Sequence, residues 1–487
     1  MAHTECRQQT FEFQALGSRK VHANFDGGHL SSDGGGALLL REVEVRSGII
    51  GRLARCFDDR RDPDRIEHSV AHLLAQRING LAMGYEDLND HDSLRLDPAH
   101  ALAAGKEDLL GEGRADENDR GKALAASSTL NRLELAAEAP DGRYRKIVAD
   151  AAAIEDLLIR EGVRAIPRKS REIIIDFDAT DDPLHGDQEG AYFNGYYRHY
   201  CYLPLYAFCG NIPLWAELRD CKRDASAGTV EALEKIVAAI RARFGRKVHI
   251  ILRGDGGFCR EAIMAWCERQ HEVYYCLGMS TNTRLRRMIA AKLGRLRGEI
   301  DLGGCEAPAR RFTELRFRTL TSWSCRRRVI AKLEILPKGE NPRFIVTNLP
   351  AGGFGDDGRE QAGRFHGRAL YEDLYCARGE MENKIKEQQL DLFADRTSTR
   401  WMASNQLRLW FSAFAHLQVN RLRATVLKGT ALERATIGQI RLRLFKIAVR
   451  IKVSVRRVLL EYCSAYPLKD LFARVHGNLA LLGGASP

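Results

Sequence analysis

The chain has 487 residues, 45% of them hydrophobic and 8% aromatic, which predicts two to four folded domains and excludes an intrinsically disordered protein. Its 75 Lys and Arg residues outnumber its 64 Asp and Glu residues, and the net charge of +11 favours a polyanionic partner. No run of about 18 apolar residues is present, so a transmembrane helix is excluded, and residues 1–5 show no apolar signal region.

The 12 cysteines form no C-x-x-C pairs, and several lie in apolar segments. This pattern is typical of small buried hydrophobic side chains, not of disulfides or a zinc site. We therefore predict a cytoplasmic protein with no membrane partner.

Residues 1–165 are predicted to form a mainly helical N-terminal domain. Its predicted elements are a strand at 20–25, a helix capped by residues 31–33, a helix with an apolar stripe over 66–81 that ends at Gly80 or Gly84, and a short helix from 127. Such a domain can bind DNA through a helix-turn-helix. The alternative is a helical bundle that serves only dimerisation.

Residues 166–280 alternate between strands and helices. Ile173, Ile174 and Ile175 indicate a buried central strand. The elements predicted after it are a hairpin of strands at 200–208 and 212–218, a helix at 227–244, a strand at 248–252, a helix at 261–269 and a strand at 273–277. This succession predicts an α/β domain.

Carboxylates follow two of these strands. Asp176 and Asp178 lie on one face at the end of the isoleucine strand, and Asp255 follows the 248–252 strand among glycines. Clustered carboxylates repel one another and resist desolvation, so this pattern indicates a metal site. The alternative is a solvated acidic turn, which is our interpretation of Asp181 and Asp182.

The stretch between Asp255 and Glu382 is far longer than a connecting loop. Within it, residues 281–365 are predicted to begin with a basic helix at 284–297. Alternating patterns at 315–319 and 329–335 then predict a small antiparallel β-sheet inserted into the α/β domain.

Residues 366–400 return to helical periodicity, with a helix expected over 369–393. Steps of three and four place Tyr375, Arg378 and Glu382 on one face of it. Two strand-end aspartates and a helical glutamate can hold two divalent ions.

Residues 401–487 are predicted to form a C-terminal helical and basic region. Residues 449–455 alternate in a way that favours a strand. The cations that we expect to contact a DNA backbone are Arg441, Arg443, Arg450 and Lys452. The alternative is a solvated basic face.

Taken in order, these motifs resemble those of the insertion-sequence DDE transposases of the cut-and-paste group. The resemblance spans residues 20–461 and rests on Asp178-Ala179-Thr180, on Asp255 within Gly254–Phe258, and on Tyr375, Arg378 and Glu382. One position departs from the family's tyrosine-arginine-glutamate-lysine signature, because Gln389 stands where the family has lysine. Lys386, one turn after Glu382, is the expected substitute.

The resemblance implies an RNase H-like catalytic domain interrupted by a β insertion. In such a domain the isoleucine strand and the 248–252 strand are neighbours, and their carboxyl ends bring Asp178 and Asp255 together. It implies catalytic and metal-binding roles for Asp178, Asp255 and Glu382, with Asp176 as the alternate first ligand, and two Mg²⁺ or Mn²⁺ ions as cofactors. Tyr375, Arg378 and Lys386 would contact DNA, although Arg378 could instead form a structural ion pair with Glu382. The implied partners are double-stranded DNA with terminal inverted repeats, target DNA and a second copy in a homodimer, in a prokaryotic, nucleoid-associated location.

Trp323 lies between two predicted strands of the insertion, beside Arg326 and Arg327. Connecting loops are exposed, so we expect the indole to be open to solvent and the arginines to contact phosphate. The β insertion of the related transposases holds a flipped base, so the resemblance implies that the indole stacks on that base. The alternative is that Trp323 packs on its own sheet.

Two other functions fit the same residues. One is an RNase H-like DNA nuclease that cuts without strand transfer. The other is a domesticated DNA-binding protein that has no catalytic activity.

Overall fold

A computed structural model describes residues 11–16, 19–23, 30–31, 33–137, 146–352, 354 and 364–482. The chain divides into two units. One comprises residues 1–135, 141–147 and 421–487, and the other comprises residues 136–140 and 148–420. Among the described helices, none combines the length and apolar character needed to cross a bilayer.

The strands of the described residues are, in chain order, β1 Phe11–Leu16, β2 Arg19–Ala23, β3 Leu30–Ser31, β4 Phe57–Asp59, β5 Ile147–Ala149, β6 Glu172–Ala179, β7 Asp182–Pro183, β8 Tyr192–Asn194, β9 His199–Tyr202, β10 Leu205–Cys209, β11 Ile212–Glu217, β12 His249–Gly254, β13 Val273–Met279, β14 Ala309–Phe317, β15 Arg327–Leu336, β16 Gly339–Glu340, β17 Arg343–Thr347, β18 Val449–Ser454 and β19 Arg457–Tyr462.

The α-helices of the described residues are α1 Ala37–Ser47, α2 Ile49–Ala54, α3 Val70–Met83, α4 Asp90–Leu94, α5 Pro98–Ala103, α6 Ser127–Glu134, α7 Ala151–Ala165, α8 Thr229–Phe244, α9 Glu261–Arg269, α10 Thr283–Asp301, α11 Gly367–Ala369, α12 Gly379–Lys386, α13 Met402–Thr425, α14 Ile437–Ile440 and α15 Lys469–Leu481.

A nine-stranded mixed sheet forms the centre of the second unit, in the order β11-β10-β6-β12-β13-β17-β15-β14, with β16 beside β15. Strands β6, β12 and β13 are parallel, and β10 runs antiparallel to β6. The predicted neighbours, the isoleucine strand β6 and the strand β12, pair from His249↔Glu172 to Arg253↔Asp176. The carboxyl ends of these two strands therefore meet at one edge of the sheet.

Helices cover both faces of this sheet because its central strands are apolar on both sides. On one face Ile173, Ile175 and Phe177 join a core that includes residues of α7, α8, α9 and α10. On the other face Ile251 and Cys276 are buried in a cluster with Leu370 and Leu374, which precede α12. The helical segment that bears Glu382 thus lies over the face to which Ile174 contributes.

The predicted inserted sheet differs from the observed one, because β14, β15 and β17 continue the central sheet. Strand β17 pairs antiparallel with β13, from Cys276↔Thr347 to Met279↔Phe344, and β15 pairs with β17. The far edge of β13 carries unpaired backbone groups, and a strand that pairs with them satisfies those groups. The predicted antiparallel strands and the basic helix α10 are therefore present, but the strands extend the central sheet and do not form a small sheet of their own.

The other unit contains α1 to α6 and the C-terminal strands and helices. Helix α3 begins at Ser69, whose hydroxyl accepts from the His72 amide at 3.2 Å, and it ends at Gly84 with a left-handed φ of 96°. This confirms the predicted end at Gly84. The predicted cap at residues 31–33 is wrong, since α1 begins after Gly36 without a side-chain cap.

Two segments group differently from the predicted domains. The residues of helix α7 fall within the predicted N-terminal domain, but the helix packs against β11 and α8 in the unit of the central sheet. Residues 421–487, predicted to form one C-terminal region with residues 401–420, group with the N-terminal residues and not with the central sheet. Within them, the predicted strand at 449–455 is confirmed as β18.

Candidate active site

Asp178 lies near the end of β6, on the strand face that is covered by the helical segment around Glu382. Alternation along the strand places it on the same side as Ile174 and Asp176. Its side chain is 16% exposed, and its Oδ1 accepts a hydrogen bond from the Ala179 amide at 3.0 Å. The carboxylate is therefore held at the edge of the core, with one oxygen directed toward other groups.

Asp255 follows the last residue of β12, and its Oδ1 accepts from the Gly257 amide at 2.8 Å. A glycine on the neighbouring strand makes room beside it. A Cβ atom on Gly278 would lie 2.4 Å from the Tyr375 hydroxyl and 3.0 Å from the carbonyl carbon of Asp255. The Tyr375 hydroxyl thus lies in space that a side chain at position 278 would fill.

Two π-helical turns, Leu370–Tyr375 and Glu387–Asp391, flank α12 in the segment that bears Glu382. Such widened turns are frequent at functional sites, because they change which side chains face inward. The first turn is held by Arg253, whose Nη1 donates to the Leu374 carbonyl at 2.7 Å. The single helix predicted over 369–393 is therefore a helical segment in which two π-helical turns flank the α-helix α12.

Arg378 connects the first and third predicted carboxylates. Its Nη1 lies 3.3 Å from Asp178 Oδ2, and its Nη2 lies 3.4 Å from Glu382 Oε1. The expected alternative for Arg378, an ion pair with Glu382, is therefore present, but Arg378 binds both carboxylates. These contacts place Asp178 and Glu382 on either side of one guanidinium group.

The electrostatics of the site place the charges of Asp255 and Glu382 close to Asp178. Burial raises the pKa of Asp178 to about 6; Arg378 opposes the rise, and the charges of Asp255 and Glu382 add to it. Burial alone would lower the pKa of Arg378, but Asp178, Tyr375, Asp255 and Glu382 together outweigh it and raise that pKa. The site therefore concentrates negative charge around a partly buried position, and a bound cation would relieve the repulsion.

Asp176, the alternate first ligand, is engaged elsewhere. Its two oxygens accept from Nε and Nη2 of Arg253 at 2.6 and 2.7 Å, and the two residues are 3% and 7% exposed. Burial raises the pKa of Asp176 and the Arg253 charge opposes the rise. This pair joins β6 to β12 within the fold, so Asp178 is the aspartate of β6 that faces Arg378 and Glu382.

Arg253 is the residue that sequence reasoning missed. It binds Asp176 and the carbonyl of Leu374, and so connects β6 and β12 to the segment that bears Glu382. The available signal was its position two residues before Asp255, on the same strand face, in an otherwise apolar run.

The position of the family's lysine is occupied by Gln389, whose amide donates to the Asp181 carbonyl at 3.2 Å. Lys386, the expected substitute, is exposed one turn after Glu382. Asp181 pairs with His199 Nε2 at 2.8 Å. The interpretation of Asp182 as a solvated turn residue is wrong, because Asp182 is 1% exposed and burial, with a contribution from Asp395, raises its pKa to about 8.

The indole of Trp323 is not available for stacking on a base. Trp323 is 7% exposed and packs edge-on against Phe317, with ring centroids 5.7 Å apart. Arg327 is 3% exposed and bound to Glu261 and Glu268 at 2.6 and 2.7 Å. The expectations that Trp323 and Arg327 are exposed are therefore wrong, since the extended sheet provides a core for both, whereas Arg326 is exposed.

The C-terminal cations differ in their surroundings. Arg441 donates to the carbonyls of Ala82 and Leu81 at 3.0 and 3.4 Å, so it stabilises the C-terminal end of α3. Arg443 and Arg450 are exposed, and Lys452 pairs with Glu461 across β18 and β19 at 2.9 Å.

Another group of potential metal ligands lies in the helical unit. Single ligand atoms of Asp33, Asp97 and His100 lie within 4.8 Å of one another. The Lys446 ammonium is 2.9 Å from Asp33, and the Tyr85 hydroxyl donates to the same carboxylate at 2.5 Å. An ammonium group therefore already compensates part of the negative charge of this group.

The sequence matches a family model described as Transposase DDE domain group 1 over residues 13–483. Among solved structures, the cryo-EM structure of a piggyBac transposase synaptic complex with hairpin DNA is similar at a TM-score of 0.38 and 10% identity, over 85% of this chain and 80% of that chain. A TM-score this low does not establish a shared fold. No curated protein matches the sequence.

Proposed function

The chain belongs to the family of group 1 DDE-domain transposases, and we propose that it cuts and joins DNA with Asp178, Asp255 and Glu382. The observation that carries this proposal is the joint action of these carboxylates on one site. Arg378 contacts two of them, and the charges of Asp255 and Glu382 raise the pKa of Asp178. A carboxylate whose pKa is raised by burial and by neighbouring charges is typical of a catalytic site.

We propose that residues 148–420 contain an RNase H-like domain. The order β11-β10-β6-β12-β13, in which only β10 runs opposite to the other four strands, supports this fold. The strands β14, β15 and β17 would then be the family's β insertion, added to the far edge of the same sheet.

The donor set fits two Mg²⁺ or Mn²⁺ ions, because carboxylate oxygens are the ligands that these hard cations prefer. Asp178, Asp255 and Glu382 would hold the ions, and the raised pKa of Asp178 indicates negative charge for a cation to compensate. When bound, such ions activate the attacking oxygen and stabilise the leaving oxygen of a phosphodiester.

The remaining side chains of the site position DNA in this proposal. Arg378 would exchange its carboxylate contacts for the phosphate beside the cut, which a guanidinium binds well. Tyr375, whose hydroxyl occupies the space left by Gly278, would contact the DNA near Asp255. Lys386, which is exposed on the same segment, would contact the DNA as well. The chain would bind the terminal inverted repeats of its element and a target DNA, as a homodimer, in a prokaryotic cytoplasm near the nucleoid.

The test is cleavage and joining of DNA that carries the ends of the element. Asp178→Asn, Asp255→Asn and Glu382→Gln should each abolish cleavage in Mg²⁺ while end binding persists, because each removes a metal ligand and leaves the core intact. Asp187→Asn, at an exposed position, is the control that should retain activity. A triad variant that still cuts at the wild-type rate would overturn the assignment.

The same experiment separates the alternatives. Cleavage without joined products would identify a nuclease. End binding without cleavage by the wild-type chain in either Mg²⁺ or Mn²⁺ would identify a DNA-binding protein that has lost catalysis.

A further inference from the structure

An exposed aromatic surface lies on the hairpin of β8 and β9. We name it the aromatic hairpin and define it as residues 192–200. Phe193 is 59% exposed, Tyr196 86% and Tyr200 54%, and Tyr192 is 37% exposed. Large apolar groups gathered on one small hairpin are a common sign of a binding surface.

The rings are arranged in edge-to-face pairs that leave faces open. Phe193 and Tyr200 have centroids 5.7 Å apart at 74°, and Tyr196 and Tyr197 have centroids 4.9 Å apart at 90°. The connecting turn is braced by Asn194, whose Oδ1 accepts from the Tyr196 amide at 2.9 Å. A rigid platform of this kind loses little conformational freedom when a flat ligand stacks on it.

The aromatic hairpin is attached to the strand that carries Asp178. Strand β7 begins three residues after the end of β6 and pairs with β9 through Asp182↔Tyr202. His199 in the hairpin pairs with Asp181 at 2.8 Å. Burial raises the pKa of Tyr197 to about 12, and the charges of Asp181 and Asp178 contribute to the rise. The hairpin therefore lies beside the candidate active site.

Cations accompany the rings. The Lys222 ammonium lies 3.4 Å from the centroid of the Tyr192 ring, and Arg198 is part of the turn between β8 and β9. Aromatic faces combined with nearby cations are the usual means of holding single-stranded nucleic acid, because bases stack on the rings while cations attract phosphates.

We propose that the aromatic hairpin binds unpaired DNA bases next to the phosphate that is cut. This inference rests on the proposed function, which brings a DNA strand to Asp178. The stacking role that the sequence suggested for Trp323 belongs instead to rings that are open to solvent, chiefly Phe193, Tyr196 and Tyr200. The favoured occupant is a strand with separated bases, since paired bases do not present their faces to a protein surface.

The experiment compares binding of a fluorescein-labelled oligothymidylate with binding of a duplex of equal length, by anisotropy, without divalent ions. The double variant Phe193→Ala/Tyr196→Ala should weaken oligothymidylate binding by about tenfold or more and change duplex binding by less than about twofold. Tyr196→Phe, which keeps the ring, should bind like the wild-type chain. Leu320→Ala is the matched control, because Leu320 is an exposed apolar residue in the connection between β14 and β15.

Equal weakening for both DNAs would overturn the proposal, since it would indicate a phosphate contact or a disturbed fold. Unchanged DNA binding with an altered sedimentation coefficient would also overturn it and would identify an interface between protein copies. The binding assay needs no cleavage, so it is independent of the catalytic assignment. The hairpin variant can bind oligothymidylate normally, which would refute this inference, while Asp178→Asn still abolishes cutting. Equally, Asp178→Asn can retain cutting, which would refute the catalytic assignment, while the hairpin variant loses single-strand binding.

Discussion

The ionised carboxylate of Asp178 is expected to lower the stability of the folded chain, because it is buried in the candidate active site. Its carboxyl has a pKa of about 6 in the fold against an ordinary value of 3.8. At about 1.4 kcal/mol for each tenfold change in proton affinity, keeping this group ionised at pH 7.5 costs about 3 kcal/mol. Asp178→Asn should therefore raise the free energy of unfolding at pH 7.5, by about 1–3 kcal/mol once the weaker hydrogen bond from Arg378 to a neutral amide is included.

The sign of the pH dependence follows from the raised pKa. Between pH 3.8 and about 6 the folded chain holds the Asp178 proton more tightly than the unfolded chain does, so wild-type stability falls as pH rises through this range. The advantage of Asp178→Asn should be largest above pH 6, about half as large at pH 5, and absent at lower pH.

Urea denaturation without divalent ions, followed by tryptophan fluorescence at pH 7.5 and pH 5, measures this effect. The 5 tryptophans all lie in the unit that contains Asp178, so the signal reports the unfolding of that unit: they are Trp215, Trp266, Trp323, Trp401 and Trp410. Asp187→Asn, at an exposed position, should change nothing. A variant Asp178→Asn that is less stable than wild type at pH 7.5, or equally stabilised at both pH values, would refute the reasoning.

Three further predictions concern residues outside the triad. Arg253→Met should destabilise the chain by about 3–5 kcal/mol, because it leaves Asp176 buried without its partner, whereas the double change with Asp176→Leu should recover most of that loss in the same urea titration. Trp323→Ala should lower the free energy of unfolding by about 3–5 kcal/mol, because it leaves a cavity beside Phe317. It should leave the ratio of single-strand to duplex DNA binding unchanged, and a selective loss of single-strand binding would instead support a stacking role for Trp323. Neutralising Arg450 and Lys452 should reduce the log–log salt slope of duplex binding by about one for each lost phosphate contact, and an unchanged slope would show that β18 faces solvent.

The sequence by itself determined the elements and the chemistry of the candidate site. Isoleucine runs, alternation and turn residues are local signals, and they identified β6, β12 and most of the helices of the central unit. Asp178 and Asp255 could be selected for the same reason, because carboxylates at the ends of apolar strands are visible without knowledge of their neighbours, and Glu382 could be selected by its helical spacing from Tyr375 and Arg378. The adjacency of β6 and β12 was implied by the succession of elements together with the family resemblance, and their pairing confirms it.

Only the tertiary structure decided which side chains are buried and what they contact. Asp176 and Asp178 share a strand face, and it is Arg253, distant in sequence, that binds one of them and leaves the other facing Arg378. Trp323 is buried because β14, β15 and β17 extend the central sheet, a pairing between distant strands that no local pattern encodes. Burial and ion pairing depend on long-range contacts, and for that reason the sequence could indicate the candidate catalytic carboxylates but could not distinguish an exposed aromatic ring from a buried one.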